Sequence, residues 1–474
     1  MRVTTPLAAL ISSALLAGCS SMKPGLGFDD VKQSVSERSG TRVHWNNGTE
    51  EDAQAKAAVA ALLQSELSAD QAVQIALLNN HELQAVYEEL NLAQSDVVQA
   101  GLLKNPVFSG DVRFGVSGIG PGVDLGIAQD FVSLLAMPLK KGRAEAAFEA
   151  AKIRVTGAVL DTAFEVRTAF YNYQAAQQAR EMRTTVAEAT AASYELASRL
   201  RDAGNIRELD LSNERALKEQ SKIELAAAQA EEIRLRERMN ALMGLWGSQT
   251  QWIAAARLPA LPEEQTPAHG LEAKAIAASL DLALLRREAE IAARSAGIAK
   301  PFAWMEGAEI GAVSERDLDG AWSVGPSLAL PIPIFDQGQA SVAAAHARYK
   351  QAAERTIARA VEIRSRVRAA QSGVLSAYER ARYYEKIMLP LKQKILDETQ
   401  LQFNAMQVSA FQLLQAKRDQ IAAGGEYIAS MHDYWQARAS LDQVLSGRMT
   451  PFERTTQSTD AMSMIAGNSG NGGH

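Results

Sequence analysis

The sequence of 474 residues contains one cysteine, 14 prolines and few aromatic residues, which make up 6% of the chain. A single cysteine excludes a disulfide framework and any cysteine-rich zinc or iron–sulfur site. The formal net charge of −6 argues against a nucleic-acid-binding protein, because such proteins need a basic surface to neutralise phosphates. The scarcity of proline and aromatic residues favours long helices over a large β-sandwich or a barrel enzyme.

The chain also lacks the short motifs that mark common enzymes and metal sites. It has no GxSxG sequence, no Walker phosphate loop and no HExxH pair. The six histidines are widely scattered along the chain. We therefore expect no catalytic residues, no metal site and no cofactor, and we predict that the protein is not an enzyme.

The beginning of the chain carries a targeting pattern. An apolar stretch from Val3 to Leu16 is shorter than the run of about 20 apolar residues that a membrane-spanning helix needs, and it is typical of a signal peptide. The next residues, Leu16-Ala17-Gly18-Cys19, resemble a bacterial lipobox. This pattern predicts removal of a signal peptide over 1–18 and lipidation of Cys19, and Ser20 after it favours the outer membrane. The alternative is an ordinary signal peptide followed by an unrelated cysteine.

The rest of the chain is internally duplicated, which predicts a mainly α fold with some β structure. Residues 20–50 resemble a polar tether, one helix is expected from Ala69 to about Leu103, and a long helix is expected from Leu139 to Asp202. The first predicted segment, 19–66, contains the lipidated tether and a short helix. It is followed by a first repeat over 67–243, an equatorial connector over 244–268 and a second repeat over 269–447. A disordered tail is predicted over 448–474. Each repeat contains a helix, a β-hairpin (106–133 or 302–332), a long helix, a turn (202–211 or 404–414) and another helix.

The hairpins are predicted from an alternation of apolar and polar residues with a period of two. Phe108, Val112 and Phe114 share one face, whereas Ser109 and Asp111 share the other. In the second hairpin, the polar residues 314–317 are expected to form the turn. Four strands cannot close a membrane barrel, which takes about eight, and unpaired strand edges in lipid are costly. We therefore expect several copies of the chain to complete the sheet with cyclic symmetry.

The long helices carry the spacing of a coiled coil. Val155, Val159, Thr162 and Val166 follow a 4-3-4 spacing, and a second apolar flank lies beside them. A helix over 139–202 would be about 95 Å long, which suits a tube or a stalk better than a globular core.

By several motifs and their order along the chain, the sequence resembles the TolC-type outer-membrane efflux family. Within that family it resembles the lipoprotein branch, which serves tripartite systems of the RND type. The likeness covers about residues 65–447. The motifs that carry it are Leu67-Ser68-x-x-Gln71-Ala72-Val73-x-x-Ala76-Leu77-x-Asn79-Asn80-x-x-Leu83, Arg199-Leu200-x-x-Ala203-Gly204-Asn205-Ile206-x-x-Leu209-Asp210, Pro333-Ile334-Phe335-x-x-Gly338 and Asp433-Tyr434-Trp435-x-Ala437.

The resemblance implies a homotrimer with four transmembrane β-strands per chain. Twelve strands would form a β-barrel in the outer membrane, and twelve helices would form a tube through the periplasm. The implied function is a passive exit duct for small molecules or metal ions, which docks to a periplasmic adaptor protein and an inner-membrane pump. The implied partners are thus further copies of the chain, the adaptor, the pump and outer-membrane lipid, with no nucleic acid.

The resemblance also assigns roles to residues at the two turns. The adaptor-docking residues would be Gly204, Asn205 and Ile206 at the first turn and Met406, Gln407 and Val408 at the second, where Met406 replaces the glycine common in the family. The pore constriction would be formed by Asp210, Gln412 and Gln415, of which only Asp210 is acidic. The alternative role for Asp210 is to cap the helix that follows the first turn.

Two other functions agree with parts of the sequence. One is an outer-membrane channel for type I protein secretion, and the other is a periplasmic coiled-coil lipoprotein scaffold that transports nothing. A scaffold has no use for hairpins that face lipid, so the strand alternation favours a channel.

Overall fold

The computed structural model describes residues 23–114, 121–263, 270–302, 308–317, 319–330, 332, 334–335 and 337–449. The signal peptide, Cys19 and nearly all of the predicted tail lie outside the described residues. The described part of the chain is mostly helical and contains one larger β-sheet. Among the described residues, no helix combines the length and the apolar character needed to cross a membrane.

The first half of the chain begins with short helices and continues into very long ones. Its helices are α1 (Phe28–Ser39), α2 (Glu50–Leu62), α3 (Ala69–Asn79), α4 (His81–Ala100), α5 (Phe131–Asp202) and α6 (Glu208–Met243), and its strands are β1 (Glu66–Leu67), β2 (Val107–Arg113) and β3 (Gly122–Asp130). Helix α5 contains 72 residues and is therefore about 108 Å long.

The second half repeats the same order of elements. Its helices are α7 (Leu271–Ala278), α8 (Leu280–Phe302), α9 (Gln339–Tyr383), α10 (Leu389–Asn404) and α11 (Ala410–Leu445), and its strands are β4 (Ile253–Ala254), β5 (Glu309–Arg316) and β6 (Trp322–Ala329). A π-helical turn, Tyr384–Met388, joins α9 to α10 just before Pro390, where a kink is expected.

The larger sheet contains both hairpins in the antiparallel order β2-β3-β5-β6. Its two halves meet where β3 pairs with β5, with Ile127 opposite Ala312. The predicted turn over 314–317 is wrong in its placement, because Ser314 to Arg316 pair with Val324 to Trp322 and so belong to the strands. Large apolar side chains are exposed along this sheet, among them Phe108, Val112, Ile127, Ile310, Val324 and Leu328.

Two boundaries of the predicted helices are also wrong. The single helix expected from Ala69 to Leu103 is divided at Asn80, whose side chain accepts a hydrogen bond from the Leu83 N–H (3.1 Å) and so starts a new helix. The long helix begins at Phe131 and not at Leu139, because Asp130 caps it and the chain remains helical through Pro138. Both differences are local effects of side-chain caps.

The prediction of a polar tether over 20–50 is wrong as well. Residues Phe28–Ser39 form α1, and Phe28 and Trp45 are buried against Tyr87 of α4, with ring centroids 4.9 and 6.0 Å from that of Tyr87. These rings form an aromatic cluster, in which Phe28 meets the other two rings edge-on, within the core that contains α3, α4 and the middle of α5. The N-terminal segment is therefore part of the folded body.

Two arginines join the N-terminal and C-terminal ends of the described chain to its centre. Arg38 of α1 donates to the carbonyl oxygens of Ala278 (2.5 Å) and Ser446 (2.8 Å), which lie at the ends of α7 and α11. Arg448 forms ion pairs with Asp161 of α5 and with Asp281 of α8 (2.5 Å). These contacts fasten the second repeat to α1 and to α5 of the first half.

Candidate functional site

The first turn between long helices is a compact tip formed by residues 203–207. Gly204 has a φ of +77°, and its N–H donates to the Arg201 carbonyl (2.9 Å), while the Asn205 N–H donates to the Leu200 carbonyl (2.8 Å). This pair of bonds is a Schellman turn, which needs a left-handed residue where Gly204 stands. Gly204 and Asn205 are exposed, whereas Ile206 is half-buried.

The second tip, residues 405–409, has the same geometry. Each of its residues lies 202 positions after its counterpart, so that Met406 corresponds to Gly204. The Met406 N–H donates to Phe403 (2.9 Å) and the Gln407 N–H to Gln402 (2.9 Å). Met406 has a φ of +60° and is 94% exposed, while Val408, like Ile206, is half-buried.

A methionine in the left-handed conformation is disfavoured by contact between its Cβ and the following carbonyl oxygen, at a cost of about 1–2 kcal/mol. We expect Met406→Gly to stabilise the protein by about 0.5–1 kcal/mol, since part of this gain is offset by the greater freedom of glycine when unfolded. Gly204→Ala is the matched comparison, because an added Cβ there meets nothing within 4 Å and adds only backbone strain. Urea unfolding should show changes of opposite sign in the two variants, and equal signs would contradict this account.

Asp210 lies at the start of α6 and caps it. Its carboxylate accepts hydrogen bonds from the Arg207 backbone N–H (3.3 Å) and from the Arg207 Nε (3.2 Å). The hydrogen bond from the Arg207 side chain lowers the pKa of Asp210, and the lesser effect of desolvation opposes it. The structure therefore places Asp210 in the capping role that the sequence left open, and the carboxylate is charged and paired at neutral pH.

Gln412 is the counterpart of Asp210 in the second tip. Its side-chain oxygen accepts from the Ser409 N–H (3.1 Å), and the Ser409 hydroxyl accepts from the Gln412 N–H (3.4 Å), which completes a capping box. Gln415 lies one turn later and donates to Asp419 (2.8 Å), which also pairs with Lys392 of α10 (3.3 Å). Sequence reasoning missed Arg207 and Asp419, because neither residue type at these positions marks a site by itself.

A groove of about 790 Å³ lies between the two tips. Ile206 and Asp210 of the first tip line it together with Ser409 of the second, and the remaining wall is mainly apolar, with Leu196, Leu200, Leu209, Phe403, Phe411 and Leu414. Gly204, Asn205, Met406 and Gln407 are exposed at the ends of the hairpins, and Gln412 and Gln415 do not line the groove. The structure thus brings Ile206 and Asp210 together with the second tip but does not gather all the predicted residues at one surface.

A second groove, of about 900 Å³, runs between α5, α6 and α11. At one end of it, His432 approaches the Asn172 amide oxygen (2.6 Å), which also accepts from Gln436 (2.8 Å). Burial lowers the pKa of His432, and the nearby Asp433 opposes this only in part. The histidine is therefore neutral at pH 7 and acts as a polar bridge between α5 and α11.

No group of three or more histidine, cysteine or acidic side chains that could hold a metal ion occurs among the residues that the structure describes.

Comparisons with known proteins identify similar chains. Residues 307–447 match the family described as Outer membrane efflux protein. The cobalt-zinc-cadmium resistance protein CzcC of Cupriavidus metallidurans is 24% identical over 388 residues, which cover 80% of this chain and 90% of that protein.

Two solved structures have a similar fold. The open state of the Neisseria gonorrhoeae MtrE outer membrane channel gives a TM-score of 0.66 at 18% identity, with 80% of this chain and 89% of that chain covered. The Campylobacter jejuni CmeC outer membrane channel gives a TM-score of 0.68 at 14% identity, with 83% and 89% covered.

Proposed function

We propose that the chain is an outer membrane efflux protein, the outer-membrane channel subunit of a tripartite efflux system. The match of residues 307–447 to that family and the similarity to CzcC over 80% of the chain support this proposal. In this function the chain is a passive exit duct, and an adaptor protein and an inner-membrane pump supply docking and energy. One observation carries the proposal. A sheet with exposed apolar side chains leads directly into α5, which is about 100 Å long. This pairing suits a pore in one membrane that extends far to one side of it.

The sheet supports assembly of the chain as a homotrimer. Its outer strands, β2 and β6, each leave one edge unpaired among the residues that the structure describes. Such edges are unfavourable in lipid, because the backbone groups have no water to bind. If β6 of one copy pairs with β2 of the next, three copies close a barrel of twelve strands. A lipidated Cys19 would add an anchor to the same membrane.

The two tips are the proposed docking surface for the adaptor. They lie at the opposite end of α5 from the sheet and present Gly204, Asn205, Met406 and Gln407 to solvent. The half-buried Ile206 and Val408 would orient each tip. The name of CzcC supports divalent transition-metal cations as the cargo.

The pore role of Asp210 is tested by the block that divalent cations cause in planar-bilayer recordings. An acidic ring attracts cations, which then obstruct ion flow. We expect Asp210→Asn to weaken block by Co²⁺, and we expect Arg207→Gln to strengthen it, because Arg207 compensates the Asp210 charge (3.2 Å). Glu208→Gln is the control, since Glu208 pairs with Arg201 and lies outside the groove.

Two results of these recordings would contradict parts of the proposed function. Unchanged block in Asp210→Asn would leave Asp210 as a helix cap without a pore role. Absence of any conductance from the wild-type chain would contradict the channel function itself.

A further inference from the structure

The first turns of α5 carry two exposed apolar rows, and each row ends in a cation. Leu135, Leu139 and Arg143 are spaced by four residues, while Leu134 and Lys141 are spaced by seven. Both spacings place residues on one face of a helix. All five side chains are exposed, and the three leucines are 41–53% exposed.

The two cations at the ends of these rows are available to a ligand. Neither Lys141 nor Arg143 forms an ion pair with any residue in the described ranges. Two neighbouring cations, in contrast, form ion pairs. Lys104 pairs with Asp130 (2.8 Å). Arg294 pairs with Glu290 (2.6 Å) and also donates to the Gly142 carbonyl. Lys141 and Arg143 therefore offer two uncompensated positive charges at the border of an apolar surface.

The apolar surface is continuous with the sheet. Leu102 and Leu103, just before β2, are 42% and 55% exposed, and the exposed apolar side chains of the strands follow. Beyond Leu139, none of the large apolar side chains in the described helix α5 is exposed until Leu196, near the far end of the helix. The exposed apolar surface at the start of α5 thus ends at Leu139, and the cations Lys141 and Arg143 follow it directly.

The N-terminal segment packs against α5 just beyond the end of this apolar surface. Gly27 lies against Phe148 and Lys152 of α5, five to nine residues beyond Arg143, which is about 8–14 Å along the helix. Lys23 belongs to the same turn, because the Leu26 N–H donates to its carbonyl (3.3 Å).

We propose that Lys141 and Arg143 bind the headgroup phosphates of membrane phospholipids, with the leucine rows against the acyl chains. The inference rests on the proposed insertion of the sheet into a membrane. Long cationic side chains suit this position, because their alkyl stems lie along apolar surface while their charged ends reach the phosphate layer. The pair would fix the depth at which the protein is inserted.

The test uses the purified full-length protein in neutral detergent, with short-chain phosphatidylglycerol as the probe and bound lipid counted by native mass spectrometry. The variant Lys141→Gln/Arg143→Gln should bind the lipid at least tenfold more weakly, since each charge contributes about fivefold. The matched control is Arg215→Gln/Lys394→Gln, which removes two exposed cations on the distal helices that likewise have no ion pair in the described chain. The charge-preserving variant Lys141→Arg/Arg143→Lys should bind like the wild type.

Three results would overturn the proposal. In the first, the glutamine variant binds the lipid as tightly as the wild type. In the second, the distal control loses as much lipid binding as the glutamine variant. In the third, inorganic phosphate binds as tightly as the lipid, which would indicate a site for free anions. Conductance in neutral phosphatidylcholine bilayers is recorded for every variant. Absence of conductance in the wild type would contradict the channel function. Normal conductance together with equal lipid binding by the wild type and the glutamine variant would contradict this proposal alone.

Discussion

Val324→Lys is expected to prevent most of the protein from forming channels. Val324 lies in β6 opposite Ser314, and its side chain is 79% exposed. On the proposed barrel it faces lipid, where a lysine near the middle of the bilayer costs about 2–4 kcal/mol. A trimer would carry this cost three times. Planar-bilayer recordings should therefore detect far fewer channel insertions at equal protein concentration than with the wild type.

Ser323→Lys is the matched control for this variant. Ser323 is the preceding residue of β6, so its side chain is directed to the opposite face, and it pairs with Glu315. On the pore side a lysine remains in water and lies beside a carboxylate, and channel formation should be retained. Equal effects of the two lysines would contradict the assignment of faces and, with it, the membrane role of the sheet.

Arg448→Met is expected to destabilise the folded protein by about 3 kcal/mol. The Arg448 guanidinium pairs with Asp161 and Asp281, and it covers Gly157, where an added Cβ would lie 3.1 Å from it. Without the arginine, Asp281, whose side chain is only 14% exposed, would keep a buried charge without its partner. The change in the free energy of unfolding can be measured by urea denaturation followed by tryptophan fluorescence.

Two further variants separate the ion-pair network from a general effect of losing an arginine. Arg199→Met removes an exposed arginine that pairs with Glu195 one turn away, and such pairs contribute about 0.3–0.5 kcal/mol. Adding Asp281→Asn to Arg448→Met should restore part of the lost stability, because it removes the unpaired buried charge. A large loss in Arg199→Met, or no recovery in the double variant, would contradict the role given to Arg448.

The elements that sequence reasoning finds are those with a local signal. The capping box of Ser68 and Gln71 is present, with Ser68 N–H to Gln71 Oε1 at 2.8 Å, because a cap depends on residues three apart. The strands follow from alternation over a few residues. The turn of the second hairpin is misplaced, since the polar Glu315 and Arg316 resemble turn residues but lie within the paired strands.

The N-terminal segment gives no comparable local signal. Val31 and Val35 are a short apolar pair in a polar stretch, and their burial depends on contact with α4 and α5, more than 40 residues away in sequence. Local pattern cannot reveal that Arg38 reaches Ser446. The same limit applies to Asp210, because sequence alone does not place the Arg207 guanidinium on its carboxylate.

The mass of the detergent-extracted protein tests the central claim most directly. In the described part of the chain, the larger sheet has four strands and two free edges, so the account predicts a complex of three copies with closed symmetry. Native mass spectrometry or sedimentation with detergent correction should give three times the mass of one mature chain. A stable, folded single chain under the same conditions would contradict the proposed pore.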